Sequence, residues 1–136
     1  MSEECKVLAT RIVQEIWNEG NLDLADQIIA PDYADNVAGD GSPIGPDGFK
    51  QAVAGIKSAF PDFSITIDDM ISENDKVALL WTFKGTHKGE LMGIAPTDKK
   101  VEFDGVYLYK FADGMLVERS GKRDMFSLMK QLGVIS

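Results

Sequence analysis

The chain has 136 residues, 44% of them apolar and 26% charged, and its 22 acidic against 14 basic side chains give a net charge of -8. This is the sequence of a single domain, 1–136, large enough to enclose a core and a pocket. The negative balance repels a phosphate backbone and an anionic lipid surface, so neither nucleic acid nor a membrane is an expected partner.

The first residues, Met1-Ser2-Glu3-Glu4-Cys5-Lys6, are acidic and lead straight into an amphipathic pattern, unlike a secretory leader. Cys5 is the single cysteine, which excludes an internal disulfide and suits a reducing, cytoplasmic setting. Leu8, Ile12 and Ile16, with Ala9, Val13 and Trp17 beside them, predict a helix that covers a core and ends at Gly20. Asn21 is placed to cap a second helix carrying Leu22, Ala25, Ile28 and Ile29, stopped by Ala30-Pro31, and the two helices are expected to form a hairpin.

Residues 31–46 are rich in Pro, Gly, Asp and Asn and predict a long loop of the kind that forms lids and binding surfaces. Tyr33 and Asn36 are the side chains there able to stack on a ligand or hydrogen-bond to it, although for Tyr33 anchoring the loop to the core is the favoured role. Pro46 opens a third helix with Phe49, Val53, Ile56 and Phe60 on one face, and Pro61 ends it. The period then falls to two, with Phe63, Ile65, Ile67, Asp69 and Ile71 as one face of a strand and Glu73-Asn74-Asp75 as the following turn.

In the next strand Val77, Leu79, Trp81, Phe83, Gly85 and His87 share a row, which becomes the interior one from Phe83 onward. His87, the single histidine, thus falls at the strand end where a cavity would open, as a rim residue or as a proton shuttle. Leu91, Met92 and Ile94 in the loop 89–98 form a candidate pocket lip. Val101 to Phe111 alternates as a long strand in which Gly105 suggests a bend or bulge, and Ala112-Asp113-Gly114 signals a hairpin into the last strand.

Nucleotide fingerprints, CxxC pairs and HxxxH are missing from the sequence, and one histidine with one cysteine does not build a conventional zinc site, so no cofactor and no metal is expected. Alternation along 115–124 puts Asp124 on one face with Ser120 and opposite Arg123. Asp124 is the candidate functional carboxylate. It also stands where an N-cap belongs, ahead of Phe126, Leu128, Met129 and Leu132, and the two roles are compatible.

Helices, then strands, then a closing helix describe an α+β fold: a curved, cone-shaped antiparallel sheet with the N-terminal helices on its concave face and a pocket between. In this order of elements, Leu24-Ala25-Asp26 to Ala30-Pro31-Asp32-Tyr33, Gly45-Pro46-Asp47-Gly48-Phe49, Ala59-Phe60-Pro61-Asp62, Trp81 to His87, Gly93-Ile94-Ala95-Pro96-Thr97 and Gln131-Leu132-Gly133 resemble the SnoaL-like polyketide cyclases. That family, also called ester cyclases, is part of the nuclear-transport-factor-2-like superfamily of cystatin-like α+β rolls.

The resemblance implies cofactor-free acid/base catalysis, an intramolecular aldol cyclisation or related enolisation, on a small hydrophobic carbonyl compound. By its implication Asp124 is the acid/base, His87 lies in the pocket, and Trp17, Tyr33, Asn36, Phe49, Phe60, Trp81, Met92, Tyr107 and Ser120 contact the substrate. It further implies a homodimer formed through the sheet. The chain departs from the family pattern at Ser120, where tryptophan is common, and at Arg123, where an apolar or aromatic residue is common. Added water at Ser120, or a guanidinium turned toward the carboxylate, would lower the basicity of Asp124. The alternative reading is a non-catalytic small-molecule-binding module of the same fold.

Overall fold

Leu8, Ile12 and Ile16 turn one apolar stripe toward the sheet, and the computed structural model, which describes residues 2–37 and 44–135, begins with that helix. Helix α1 spans Ser2–Arg11 and continues over Ile12–Asn18 with the wider π spacing, in which Ile12, Val13, Ile16 and Trp17 are all buried. A run of π geometry is uncommon and tends to mark a working part of a molecule. Here it delivers Trp17 to the cavity described below.

The expected helical hairpin shrinks to a 3-10 turn, Leu22–Leu24, and one turn of helix α2, Ala25–Ile28. The chain then enters strand β1, Ile29–Asp35, within the segment expected to be a loop. Proline misled the reading: β1 is an edge strand with a single neighbour, and its register breaks between Ile29 and Ala34, around a Pro31 that has no N–H to give. The middle of that expected loop, 38–43, lies outside the described residues.

Helix α3, Gly45–Ala59, follows, then strands β2 (Ser64–Glu73), β3 (Lys76–Thr86), β4 (Lys100–Ala112) and β5 (Met115–Arg123), and helix α4 (Met125–Leu132). The sheet order is β1-β5-β4-β3-β2. Its pairs are antiparallel except that of β1 with β5, which is parallel and brings the first strand beside the last. This is the mixed α+β architecture expected from the pattern.

Two bulges decide which side chains face inward. In β2, Ile67 pairs with Trp81 but Asp69 pairs with Leu80, so Asp68 is the extra residue, and beyond it Met70 packs on the core while Ile71 is 67% exposed. In β5, Leu116 pairs with Phe111 and Glu118 with Lys110, so Val117 is extra. Leu116 and Arg119 are therefore both buried, though three residues apart. Gly105, expected to bend β4, instead makes room: a Cβ there would stand 2.5 Å from the Trp81 ring, and β4 pairs regularly through it.

Two side-chain amides tie helices to strands by imitating a backbone neighbour. Asn18 accepts the Ile65 N–H and donates to the Ile65 carbonyl, both at 2.8 Å. Gln131 does the same to Glu102, accepting its N–H at 2.8 Å and donating to its carbonyl at 2.7 Å. The Gln131-Leu132-Gly133 ending is thus a docking device: Gln131 grips β4, Leu132 is buried, and Gly133 at φ 82 supplies the left-handed turn that ends α4. Replacing Gln131 with Ala removes two backbone-directed bonds and is expected to lower stability by about 1–2 kcal/mol. Urea unfolding should show this as a lower midpoint at an unchanged slope.

Candidate active site

A cavity of about 460 Å³ lies between the concave face of the sheet and α3. β3 contributes Trp81 and Phe83, β4 contributes Phe103 and Tyr107, and β5 contributes Arg119 and Arg123. Opposite them stand Trp17 and the α3 side chains Gln51, Ala52 and Ile56, with Phe60 beyond the helix end. Met125 and Leu128 of α4 form a further wall, and Glu90, Leu91 and Met92 stand at the loop side. Largely apolar walls with a few polar groups are the usual constitution of a small-molecule site.

The lip is a built turn. Leu91 and Ile94 exchange both backbone hydrogen bonds, at 3.0 and 2.7 Å, across Met92 at φ 48 and Gly93 at φ 81. Paired positive φ angles are the signature of a tight primed turn, and an unbranched Met at such a position is unusual. The turn leaves Met92 62% exposed at the cavity edge.

Arg119 is the polar centre. Its Nε and Nη2 donate to the two oxygens of Asp35, at 3.2 and 2.6 Å, and the pair is buried, with 4% and 6% of the two side chains exposed. The guanidinium also lies against the rings of Tyr107, 4.7 Å from the centroid, and Trp17, 5.6 Å away. Burial works against its charge, but the Asp35 carboxylate paired with it holds it protonated. Burial pushes the Tyr33, Tyr107 and Tyr109 phenols up, so all three stay neutral. The sequence reading missed this pair because the Val117 bulge moves Arg119 into the core row, and because Asp35 belongs to the strand read as a loop.

Asp124 does cap α4: its Oδ1 accepts the Ser127 N–H at 3.0 Å. Its partnership with Ser120 and opposition to Arg123 hold as well, but the face they share is the outer one. Asp124 is exposed beside Asp68, Leu80, Asp104, Val106 and Lys122, while its neighbours Arg123 and Met125 line the cavity. Ser120 pairs with Leu108 on the same outer face and accepts a hydrogen bond from Asn36, whose amide also reaches Glu118 at 2.7 Å.

His87 is fully buried, not at a rim. Its Nδ1 accepts the Thr97 N–H at 3.3 Å and lies 3.1 Å from the Thr97 hydroxyl, while its Nε2 has no partner among the described residues. An Nδ1 that accepts leaves the proton on Nε2 in the neutral ring. The ring packs on Phe60, so the imidazole stands behind the cavity wall and pins the loop that carries the lip.

Of the other expected contacts, Trp17, Phe60, Trp81, Met92 and Tyr107 line the cavity. Tyr33 and Phe49 are buried one layer behind, edge to face with each other at 5.5 Å, and Phe49 in turn meets Trp17 at 5.6 Å. Asn36 and Ser120 are not among the lining residues, and the reading also missed Arg123, Gln51, Met125 and Leu128. Among the described residues no cluster of three or more His, Cys, Asp or Glu is placed to hold a metal ion, and no helix is long and apolar enough to cross a membrane.

Residues 7–132 match the family model for the SnoaL-like polyketide cyclases. The chain is 29% identical over 119 residues to the nogalonic acid methyl ester cyclase of Streptomyces nogalater, covering 86% of this chain and 89% of that one. Among solved structures, TsrD of Streptomyces laurentii superposes with a TM-score of 0.90 at 24% identity, covering 98% of this chain and 97% of its own, a likeness of fold. AclR of Streptomyces galilaeus, which carries a hydroxylase designation, superposes with a TM-score of 0.85 at 29% identity over the whole of both chains.

The loop beneath the cavity is set by Asp62, which accepts the Thr86 N–H and the Thr86 hydroxyl, each at 2.7 Å, just before His87. The Thr86 side-chain bond, then its backbone bond, hold the Asp62 carboxyl below its ordinary value of 3.8. A depressed folded pKa adds stability above the ordinary value and loses it as pH falls through the folded one. Urea midpoints should therefore fall as pH drops from about 5 to below the ordinary value in the wild type, and fall less steeply in Asp62→Asn.

Proposed function

The chain belongs to the SnoaL-like polyketide cyclase family, and from that premise we propose that it performs cofactor-free acid/base chemistry on a small hydrophobic carbonyl compound held in the cavity. The reaction is an intramolecular aldol closure or a related enolisation. The observation that carries the reading is the apolar, aromatic-walled cavity of about 460 Å³ with a buried guanidinium in its wall.

A carbon between two carbonyls loses a proton to a carboxylate, the enolate attacks a carbonyl of the same molecule, and the new alkoxide takes a proton back. The rings fill the space between Trp17, Trp81 and Phe60, and enolate charge developing near Arg119 is met by a cation already fixed in place. Asp124 is the candidate base. In this structure its carboxylate caps α4 outside the wall that Arg123 and Met125 form, so proton transfer requires this junction to turn and release the Ser127 N–H. His87 serves the same site by positioning the lip. The alternative of a pure binding module keeps the cavity and leaves Asp124 as a cap alone.

We propose a homodimer as the working form, joined through the outer sheet face, where Ile71, Leu80, Val106 and Leu108 are exposed across three neighbouring strands. Reducing surroundings suit the single cysteine, Cys5, which is buried in the core.

Asn caps a helix as well as Asp does, so Asp124→Asn should change stability by only a few tenths of a kcal/mol, and Asp124→Ala should cost about 1 kcal/mol. If Asp124 is the base, Asp124→Asn lowers turnover of polycyclic polyketide esters by roughly a hundredfold or more. Unchanged turnover in that variant removes Asp124 from the chemistry. Mass spectrometry separates the reaction classes, since aldol closure gives an isomer of the substrate and hydroxylation adds an oxygen. For the assembly, sedimentation should give twice the chain mass for the wild type and a single chain for Leu80→Lys; a wild type sedimenting as one chain of 14.9 kDa rejects the dimer.

A further inference from the structure

The cavity does not share the strongly acidic balance of the chain. Against a net charge of -8, its walls carry two arginines, Arg119 and Arg123, and one carboxylate, Glu90, which is exposed at the loop side. The arginines stand in one row of β5, opposite Tyr109 and Gly105. Local potential inside a low-dielectric recess is set by the nearest charges, not by the distant total.

Arg119 is oriented by what it already binds. Asp35 takes Nε and Nη2 side-on, at 3.2 and 2.6 Å, which leaves the Nη1 end of the fork for a third partner. Tyr107 and Trp17 lie against the guanidinium and restrict its swing. Trp81 packs on the same Tyr107 ring, at 4.8 Å between centroids, and its buried Nε1–H has no acceptor among the described residues. A buried donor without a partner costs about 1–3 kcal/mol, so a ligand that supplies the acceptor recovers that cost on binding. One flank of the cavity therefore carries the Arg119 fork with the unpartnered Trp81 Nε1–H buried close behind the wall, and the remaining walls are largely aromatic and aliphatic.

We propose that the cavity selects a planar aromatic ligand carrying an oxyanion, a carboxylate, phenolate or enolate oxygen, seated on the flank that Arg119 and Trp81 share. Arg119 is the specificity-determining residue, Arg123 adds to the local positive potential, and Asp35 is a positioning residue that fixes the direction of the fork. The proposal deepens the cyclase reading, because an enolate is such an oxyanion, but it concerns recognition and requires no turnover.

The test is calorimetric binding of 2-naphthoate and of its methyl ester, which share a ring system and differ in the anionic oxygen. The acid should bind the wild type roughly tenfold or more tightly than the ester. Arg119→Met alone would take the countercharge from the buried Asp35 carboxylate, so the informative variant is Asp35→Asn/Arg119→Gln, which removes both charges together. In it the preference for the acid should vanish. Arg123→Gln, at a half-buried position, should reduce the preference without abolishing it. Equal binding of acid and ester to the wild type, absence of binding by both, or a preference that survives in the double variant would overturn the proposal. Turnover of polyketide esters by the same preparation keeps the two readings apart: turnover without acid preference sinks only the oxyanion site, and acid preference without turnover sinks only the cyclase.

Discussion

The buried pair of Asp35 and Arg119 is the interaction on which the rest depends. The two residues are register partners across the parallel junction of β1 and β5, so one ion pair fastens an early strand to the last one. Removing either partner would strand a charge in the core, at a typical cost of about 3–5 kcal/mol, whereas an apolar pair of equal volume could serve stability as well. Burying charge is a poor route to stability alone. What it provides here is orientation: a cation held at a fixed angle in a cavity wall, with Tyr107 and Trp17 as its supports.

Around that pair the molecule is assembled by short-range devices that each place one side chain. The π run aims Trp17, the missing Cβ of Gly105 admits the Trp81 ring, and the Asn18 and Gln131 amides fix helices against strand backbones. His87 holds Thr97, and through it the loop whose turn presents Met92. These contacts lie at the margins of the cavity, which leaves its interior to aromatic walls.

Much of the fold was legible because periodicity reports burial directly: the α3 face, the inner row of β3 and the hairpin at Asp113-Gly114 are all visible as spacing. What escaped was register. An inserted residue at Asp68 or Val117 leaves no local mark in composition, yet it reverses every later assignment of inside and outside. That is why Ile71 turned out exposed and Arg119 buried, and why β1, broken by Pro31, read as a loop. The site was legible where aromatic size forces burial, as at Trp17, Phe60, Trp81 and Tyr107. It was not legible where function rests on a charge in an apolar row, because a charged residue reads as solvated until its partner is known.

The contrast between an acidic exterior and a recess that holds an arginine fork also bears on how fast and how firmly an anion is captured. At a distance such a molecule meets the repulsion of a chain with a net charge of -8, and 0.1 M salt screens that field over roughly 10 Å. Arg119, buried in the cavity wall against Tyr107 and Trp17, is screened far less. Raising ionic strength therefore speeds the approach of an anion while leaving its residence time nearly untouched, the reverse of the pattern for a basic protein that collects anions on its surface.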